Sequence, residues 1–598
     1  MTMVAAGVAP ARGAPIQDVI FASGLAVVLL AIVAGLGLLY VRGRLPVLDR
    51  LADASERKTG QPAWAIIPFA VATVSLLSAV FGFYWDVSWH IDRGRDPGPF
   101  ANPAHYWIFV GLCGIVLAGA LSVLLGSRKP SPTSVRIGKR LVAPVGGILL
   151  VLSGGIALAG FPLDDIWHRL FGQDVTLWGP THIQMIAGAS LATLALFVLQ
   201  VEAVRTTGRR PAMQKLWWVL GGGSFLVGLS TLQGEFDYGV PQFRQLYHPV
   251  LIMLAAGIGL VAVRLLAGRG SAIGSVLVFF AIRGTLTLLI SVGLGRSLLH
   301  FPLYIPEALL VELVALRVSV ERPMRFALTS GALIGTVGLA AEWWWSHAFM
   351  PLPWHASLLP EGAVFGFAAA MGGATIGMLI GRALSDEGVR WSRVPVRVAV
   401  AAWGVALVCI ALPLPMTARP SQTATVSTRT VVPFPNDEVM LTVRLHPADA
   451  AANADWFTVT SWQGAQGTSG GLVISNLTPT GRGTFRTERP VPVGGQWKTL
   501  IRLERGNELQ VVPVYMPLDP AIPAPLVPAF PHFTRHFVRD KKELQREATG
   551  GSVAFQRGAY AAIGLLAVFW VSLFAWGLRR LRVTREAESS SVQVQQAA

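Results

Sequence analysis

The chain is poor in charged residues and nearly devoid of cysteine for its 598 residues. Only 14% of its residues are Asp, Glu, Lys or Arg, whereas 53% are hydrophobic. So many apolar side chains exceed what the core of an ordinary soluble fold buries. Its two cysteines, Cys113 and Cys409, lie inside apolar runs and form no C-x-x-C pair. This disfavours structural disulfides and thiolate metal clusters, so a metal bound here would take nitrogen and oxygen ligands.

Acidic residues are scarcer than basic ones. The 33 Asp and Glu residues and 49 Lys and Arg residues give a net charge of +16, which in a soluble protein would suggest binding to nucleic acid. Here the basic residues are concentrated in short loops between apolar runs, which is typical of the cytoplasmic flanks of membrane helices. We therefore expect a lipid bilayer as partner and no nucleic acid.

Thirteen apolar runs are long enough to cross a bilayer. They fall at about 19–41, 63–84, 106–126, 142–162, 183–203, 216–234, 249–267, 272–295, 306–320, 325–345, 361–381, 395–414 and 558–578. The first run is too long for a signal-peptide core and precedes the main positive charges, so we expect an anchor with its N-terminus outside. Every second loop is basic, which predicts a multi-pass protein of the plasma membrane with a cytoplasmic C-terminus.

Four segments follow from this pattern. They are an anchor helix with a cytoplasmic loop (1–62), a bundle of repeated transmembrane hairpins (63–414), an extracytoplasmic domain with a linker (415–557), and a last transmembrane helix with its tail (558–598). Between about 422 and 518, short runs alternate polar and apolar residues, as half-buried strands do. The predicted fold class is a polytopic α-helical membrane protein with an extracytoplasmic β-sandwich domain.

An Asp/His motif occurs twice, about 80 residues apart, and each copy begins at the end of an apolar run. The copies align in register: Asp86 with Asp164, Trp89 with Trp167, His90 with His168, Gly94 with Gly172, Asp96 with Asp174, Pro103 with Pro180, and His105 with His182. On a helix, the Asp and the first His project from the same face. The chain then turns at the Gly, and the second His begins the next helix. Repeated metal-ligand residues favour a site built from equivalent parts.

We predict that these outward-facing hairpins bind a transition metal. The candidate ligands are Asp86, His90, His105, Asp164, His168 and His182, with His248 of a weaker third copy as an addition. Two His and one carboxylate with open positions suit copper, zinc or iron. Asp96 and Asp174 follow the Gly and are interpreted as turn or capping residues. In the alternative without metal, the Trp residues form an interfacial belt and the Asp and His residues are solvated or cap helices.

Other residues give weaker predictions. His532 and His536 have the i, i+4 spacing that can hold a metal on a helix, with a solvated face as the alternative. Arg283 and Glu312 lie at comparable depth in consecutive apolar runs, which predicts a structural ion pair within the membrane, with a proton or ion path as the alternative. Candidate general bases or additional ligands in the later outer loops are Glu342 and Glu361.

The sequences Asp86-x-x-x-His90 and Asp164-x-x-x-His168, each followed by another His after a loop, resemble a known metal motif. It is found in the C subunit of copper-dependent membrane monooxygenases, the methane and ammonia oxidiser family. The likeness covers some 20 residues per copy, and the last interval is 15 residues in one copy and 14 in the other, longer than in that family. The resemblance implies copper bound by these Asp and His residues and oxidation of a small or lipophilic substrate. Neither the duplication nor thirteen spans belongs to that subunit.

A second resemblance concerns the outer domain. The stretch from Val493 to Leu503, Val-Gly-Gly-Gln-Trp-Lys-Thr-Leu-Ile-Arg-Leu, precedes a closing strand and is similar to the small sandwiches of the FixH and YtkA-like group. That group implies copper handling and respiratory or copper-handling membrane partners. The domain lacks the Met-rich or Cys-containing signature of a copper carrier, which leaves a scaffold role open.

The leading functional prediction is a membrane metalloprotein, with copper as the expected metal and oxidoreductase or monooxygenase activity. The first alternative is a protein for uptake or handling of copper or another metal. The second is a membrane glycosyltransferase with a lipid-linked donor, in which Asp86 or Asp164 would act as a base or hold a metal. A purely structural or assembly role is the remaining alternative.

Overall fold

The computed structural model describes most of the chain. The described residues are 15–95, 98–139, 141–172, 176–211, 213–385, 404, 421–434, 437–464, 471–506, 508–522, 524–546 and 551–597, with the backbone alone described for 582–597. The predicted span 395–414 lies outside these residues except for Gly404, and so do Asp96 and Asp174.

The described residues form long apolar helices, which make up the membrane part, and shorter helices, some of them polar. They are α1 (Ile16–Val41), α2 (Pro46–Thr59), α3 (Ala63–Arg93), α4 (Pro103–Leu125), α5 (Val145–Phe171), α6 (Pro180–Thr207), α7 (Gln214–Ser230), α8 (Gly234–Tyr238), α9 (Tyr247–Ala267), α10 (Ser271–Thr287), α11 (Ile305–Arg317), α12 (Pro323–Leu333), α13 (Leu339–Ala348), α14 (Leu359–Leu384), α15 (Asp540–Leu544) and α16 (Val553–Ala597). A short hairpin, β1 (Val135–Ile137) and β2 (Leu141–Ala143), joins α4 to α5.

The chain is a multi-pass membrane protein. Ten helical segments of the described residues are long and apolar enough to cross a bilayer. Two predicted spans coincide with shorter helices, because α7 has 17 residues and α11 has 13, against about 20 for a typical span. The total of thirteen spans and the orientation of the termini therefore remain predictions.

Small residues let α3 pack closely against α4, and α5 against α6. A Cβ atom on Gly111 would lie 2.6 Å from the carbonyl oxygen of Ser75, and one on Gly188 would lie 2.7 Å from that of Ser153. Such approaches exclude any larger side chain. Ser75 and Ser153 are 78 residues apart and Gly111 and Gly188 are 77 apart, the same offsets as in the Asp/His motif. The repeat thus extends from the Asp/His motif into the helix contacts of both hairpins.

The β domain is a ten-stranded antiparallel sheet. Its strands are β3 (Thr423–Val432), β4 (Glu438–His446), β5 (Trp456–Trp462), β6 (Val473–Gly481), β7 (Thr484–Thr487), β8 (Val491–Pro492), β9 (Lys498–Arg505), β10 (Glu508–Tyr515), β11 (His532–His536) and β12 (Val538–Arg539). They follow the order β11-β3-β4-β7-β6-β5-β9-β10-β12, with β8 on β4. Val426 and Leu441 from one half share a buried core with Val459, Ile501 and Val512 from the other. This packing agrees with the predicted sandwich.

The β domain docks on the ends of the membrane helices. Among the hydrogen bonds that join the two parts are Gln463 N to Ile91 O at 3.0 Å, Gly471 N to Asp92 Oδ1 at 2.7 Å, Arg502 to Pro241 O at 2.9 Å, and Gln245 N to Glu504 Oε1 at 2.7 Å. Gln463 adopts the left-handed backbone region with φ of 62°, which is uncommon for a residue with a side chain. Its amide thereby meets the last turns of α3.

Two of the sequence predictions are wrong. Arg283 pairs with Asp237 at 2.7 Å, not with Glu312, which accepts a hydrogen bond from Arg264 at 2.8 Å. Residues 532–536 form strand β11 rather than a helix. At about 3.3 Å per residue, the α-carbons of the two histidines at its ends are roughly 13 Å apart, too far for a shared ion.

Candidate metal centre

The first Asp/His triad forms where α3 ends and α4 begins. His105 Nε2 lies 3.0 Å from Asp86 Oδ1, and His90 Nε2 lies 3.4 Å from the same oxygen. Gly94 caps α3 with φ of 86° and donates its N–H to the His90 carbonyl. The loop after it returns to Pro103, the first residue of α4, so that His105 projects back toward the carboxylate. The helix end and the turn together bring the three side chains into one cluster.

The second triad repeats this arrangement between α5 and α6. His182 Nε2 lies 3.3 Å from Asp164 Oδ1, and His168 Nε2 lies 3.7 Å from Asp164 Oδ2. Gly172 has φ of 84° and donates to the His168 carbonyl. In each triad the three possible ligand atoms lie within 4.8 Å of one another. All six predicted Asp and His ligands of the two copies are thus brought together as two sets of three.

Backbone carbonyls fix the orientation of three of the imidazoles. His90 Nδ1 lies 3.0 Å from Gly94 O, His105 Nδ1 2.7 Å from Pro99 O, and His182 Nδ1 2.8 Å from Thr176 O. A carbonyl oxygen only accepts, so Nδ1 carries the proton, and the Nε2 of a neutral ring then presents a lone pair. This is how metal-binding histidines are usually oriented.

The lone pairs make the triads suitable for a cation. An unprotonated Nε2 facing a carboxylate oxygen is repulsive unless a cation lies between the two atoms or a second proton charges the ring. Two ligands about 2.1 Å from one ion, at angles of about 90–120°, lie about 3.0–3.6 Å apart. Three of the four observed distances, 3.0, 3.3 and 3.4 Å, fall in that range, and the fourth, 3.7 Å, is slightly longer. The buried His168 Nε2 has no hydrogen-bond partner among the described residues.

Both carboxylates are held by a neighbouring side chain. Asn102 donates to Asp86 Oδ1 at 2.6 Å, and Thr181 donates to Asp164 Oδ1 at 2.5 Å. Asn102 also accepts from Ala104 N at 3.0 Å and so caps α4. These hydrogen bonds fix the carboxylate planes, which is a common way of orienting metal ligands.

The two triads line one cavity of about 220 Å³. Phe161 of the second hairpin contacts His105 of the first with ring centroids 5.8 Å apart. The β domain also lines this cavity, with residues of and after β5 and of β9: Trp462, Gln463, Lys498 and Arg502. Two triads, a buried carboxylate and basic side chains therefore face a shared space.

The buried carboxylate is Glu235, from the weaker third copy of the motif. It accepts hydrogen bonds from Thr176 Oγ1 at 2.5 Å, Leu177 N at 2.7 Å and Gln242 N at 2.7 Å. Burial raises the pKa of Glu235. The Thr176 carbonyl in turn orients His182. Glu235 is therefore a positioning residue for the second triad.

Other predicted residues lie elsewhere. Among the described residues, His248 joins neither triad: its ring stacks on Phe236, and Nδ1 accepts from Trp354 Nε1 at 3.0 Å. Glu342 is buried and accepts from the backbone N–H groups of Leu303 and Tyr304. Glu361 is exposed and pairs with Arg244.

The chain matches no protein-family model, no curated protein and no solved structure. Of the site residues, sequence reasoning missed Asn102 and Thr181, although each adjoins the Pro of its copy. It also missed the β-domain residues of the cavity, because long-range docking leaves no local pattern.

Proposed function

We propose that the protein is a plasma-membrane metalloprotein that binds two transition-metal ions, one in each Asp/His triad, and acts as an oxidoreductase. Copper is the metal we propose, and zinc and iron are the alternatives that the same ligands accept. The triads, the β domain and the N-terminus would face the outside of the cell, with the C-terminus in the cytoplasm, as the charge of the loops predicts.

The observation that carries this proposal is the duplicated orientation of the imidazoles toward a carboxylate. Two separate hairpins place two Nε2 atoms 3.0 to 3.7 Å from an Asp oxygen. Hydrogen bonds from Asn102 and Thr181 hold the two carboxylates. Helix capping explains neither the fixed tautomers nor the convergence of three side chains in each hairpin.

The surrounding residues supply a site suited to chemistry on a bound molecule. Each triad offers three ligands, which would leave coordination positions open. A bound redox metal would supply one-electron chemistry or activation of an oxygen species. The chain itself would orient the ligands, limit access of water through the β domain, and place Lys498 and Arg502 beside the cavity.

Metal uptake or handling is the main competing function. Apolar residues such as Phe83, Ile108 and Ile186 line the space beside the triads, and apolar walls favour an enzyme over an ion path through the membrane. Metal flux into proteoliposomes containing the protein would establish uptake. A lipid-linked glycosyltransferase would instead require a polyprenyl donor and keep its activity after His105→Ala and His182→Ala.

The first test is the metal content of the detergent-purified protein. We expect two ions per chain, one lost in His90→Ala, the other lost in His168→Ala, and both lost in the double variant. Elemental analysis gives the stoichiometry, and electron paramagnetic resonance identifies copper(II). If the triads share ligands to one bound ion, each single variant should lose all of it.

The control is His355→Ala, because this exposed His caps a short helical turn by accepting from Ser357 N at 3.2 Å. It should keep the full metal content, and circular dichroism should show that all variants retain their helices. Full metal retention in the double variant, or no binding after reconstitution with copper, zinc and iron salts, would contradict the proposal.

A further inference from the structure

An apolar groove runs along the membrane helices beside the triads. Its walls come from α3, α4, α6 and α7, with Thr231 just after α7 and Ile282 of α10. Most of the side chains that line it are apolar, and the polar ones are hydroxyls and one amide. Phe69 and Trp217 flank its far end, with ring centroids 5.9 Å apart.

The groove adjoins the cavity that contains the triads. Four residues line both spaces: Phe83, Ile108, Met185 and Ile186. They belong to α3, α4 and α6, the helices that carry four of the six triad residues. A molecule in the groove would therefore have one end at the wall of the cavity that holds the Asp and His side chains.

The length of the groove indicates what it could hold. From Phe69 to Phe83, α3 rises about 21 Å at 1.5 Å per residue. The hydrocarbon core of a bilayer is about 30 Å thick, so one leaflet provides roughly 15 Å. The groove is thus long enough for the whole chain of a lipid that belongs to the leaflet next to the triads.

We propose that the groove binds the chain of a long-chain amphiphile and presents its polar head to the two triads. This inference deepens the proposed function, since it names the substrate class of the same site. The hydrocarbon chain is matched by the apolar walls. The head enters a cavity lined by carboxylates, imidazoles, Lys498 and Arg502, the last of which pairs with Asp540 at 2.9 Å. An amphiphile meets both requirements, whereas a small polar substrate would leave the groove unused.

The test uses photoactivatable C16 alcohols with protein reconstituted into phosphatidylcholine nanodiscs. One probe carries its diazirine near the hydroxyl and the other carries it at the chain end. We expect the first to label peptides containing Phe83 or Met185, and the second to label those containing Phe69 or Trp217. The reverse order, or labelling confined to lipid-facing surfaces, would overturn the inference.

Blocking variants distinguish the groove from ordinary annular lipid. Ala189→Trp fills the groove from α6, and Thr73→Trp does so from the exposed edge of α3. Each should reduce labelling of the groove at least tenfold. The matched control is Val74→Trp, because Val74 is 68% exposed, adjoins Thr73 and is not one of the groove residues. Equal labelling of the control and both blocked variants would mean annular lipid only.

Metal content separates this inference from the proposed function. The groove residues Ala189 and Thr73 do not belong to either triad, so their Trp variants should keep the metal content of the wild type. If the two probes label the two ends of the groove as expected but the protein binds no metal, the proposed metal centre is refuted and the lipid-binding groove stands. Stoichiometric metal without ordered labelling would support the metal centre and refute the amphiphile.

Discussion

The buried Arg283 offers a sharp test of the fold beside the cavity. Its guanidinium donates to Asp237 Oδ2 and to the His300 carbonyl, each at 2.7 Å, and lies over the Tyr84 ring at 4.1 Å. The side chains of Arg283 and Asp237 are both fully buried. Removing either partner would leave the other charge without compensation in a medium of low polarity.

The expected magnitude follows from that burial. Arg283→Met or Asp237→Leu alone should each lower the free energy of unfolding by about 3–5 kcal/mol. The double variant should cost much less than the sum, since it removes both charges at once. A coupling free energy of about 3 kcal/mol or more is therefore expected between the two positions.

The assay is equilibrium unfolding in mixed micelles with increasing SDS, followed by circular dichroism. The control is the same cycle on Arg505 and Glu508, whose side chains are 40% and 31% exposed, and whose coupling should be about 1 kcal/mol or less. Additive costs at Arg283 and Asp237 would refute the reasoning. Strong coupling between Arg283 and Glu312 would restore the pairing expected from the sequence.

Two further predictions concern the triads and the docked β domain. Asn102→Ala should weaken metal binding in the first triad about 10–100-fold and leave the second triad unchanged. Thr181→Val should weaken the second triad and leave the first unchanged. Equal weakening of both sites in a calorimetric titration would contradict this prediction. Burial and the nearby Asp455 carboxylate raise the pKa of Glu504. The folded state therefore binds the proton of Glu504 more tightly than the unfolded state does, and the free energy of unfolding should fall as pH rises from about 4. In thermal unfolding, the Glu504→Gln variant should lose less stability over this pH range than the wild type. An unchanged dependence of stability on pH would contradict this prediction.

The sequence predicted the parts of the site that repeat. Aligning Asp86 with Asp164 and His105 with His182 identified both sets of candidate ligands, because a helix face and a returning turn are local features. The same offsets continue into the membrane, where Gly111 and Gly188 pack on Ser75 and Ser153. A longer alignment of the two hairpins would have revealed this, since small residues at helix contacts leave a sequence pattern.

Interactions between distant segments could not be predicted in the same way. Depth in an apolar run suggested Glu312 as the partner of Arg283, but a helical turn outside the long spans supplies Asp237 instead. The alternation of residues predicted the β domain, whereas the contact of Gln463 with Ile91 depends on how the domain docks. The groove has no sequence signature either, because it is the space left between helices.

The third copy of the motif has a different structural role from the first two. In the first two copies, His105 and His182 each follow a Pro that opens a helix, and both turn toward an Asp. In the third copy the order is reversed, because His248 precedes Pro249, and its ring packs on Phe236. The acidic residue of this copy, Glu235, instead holds the loop whose carbonyl orients His182. A hairpin related to the ligand-bearing ones thus supports the second triad. Glu235→Gln should therefore alter the orientation of a ligand and not remove one.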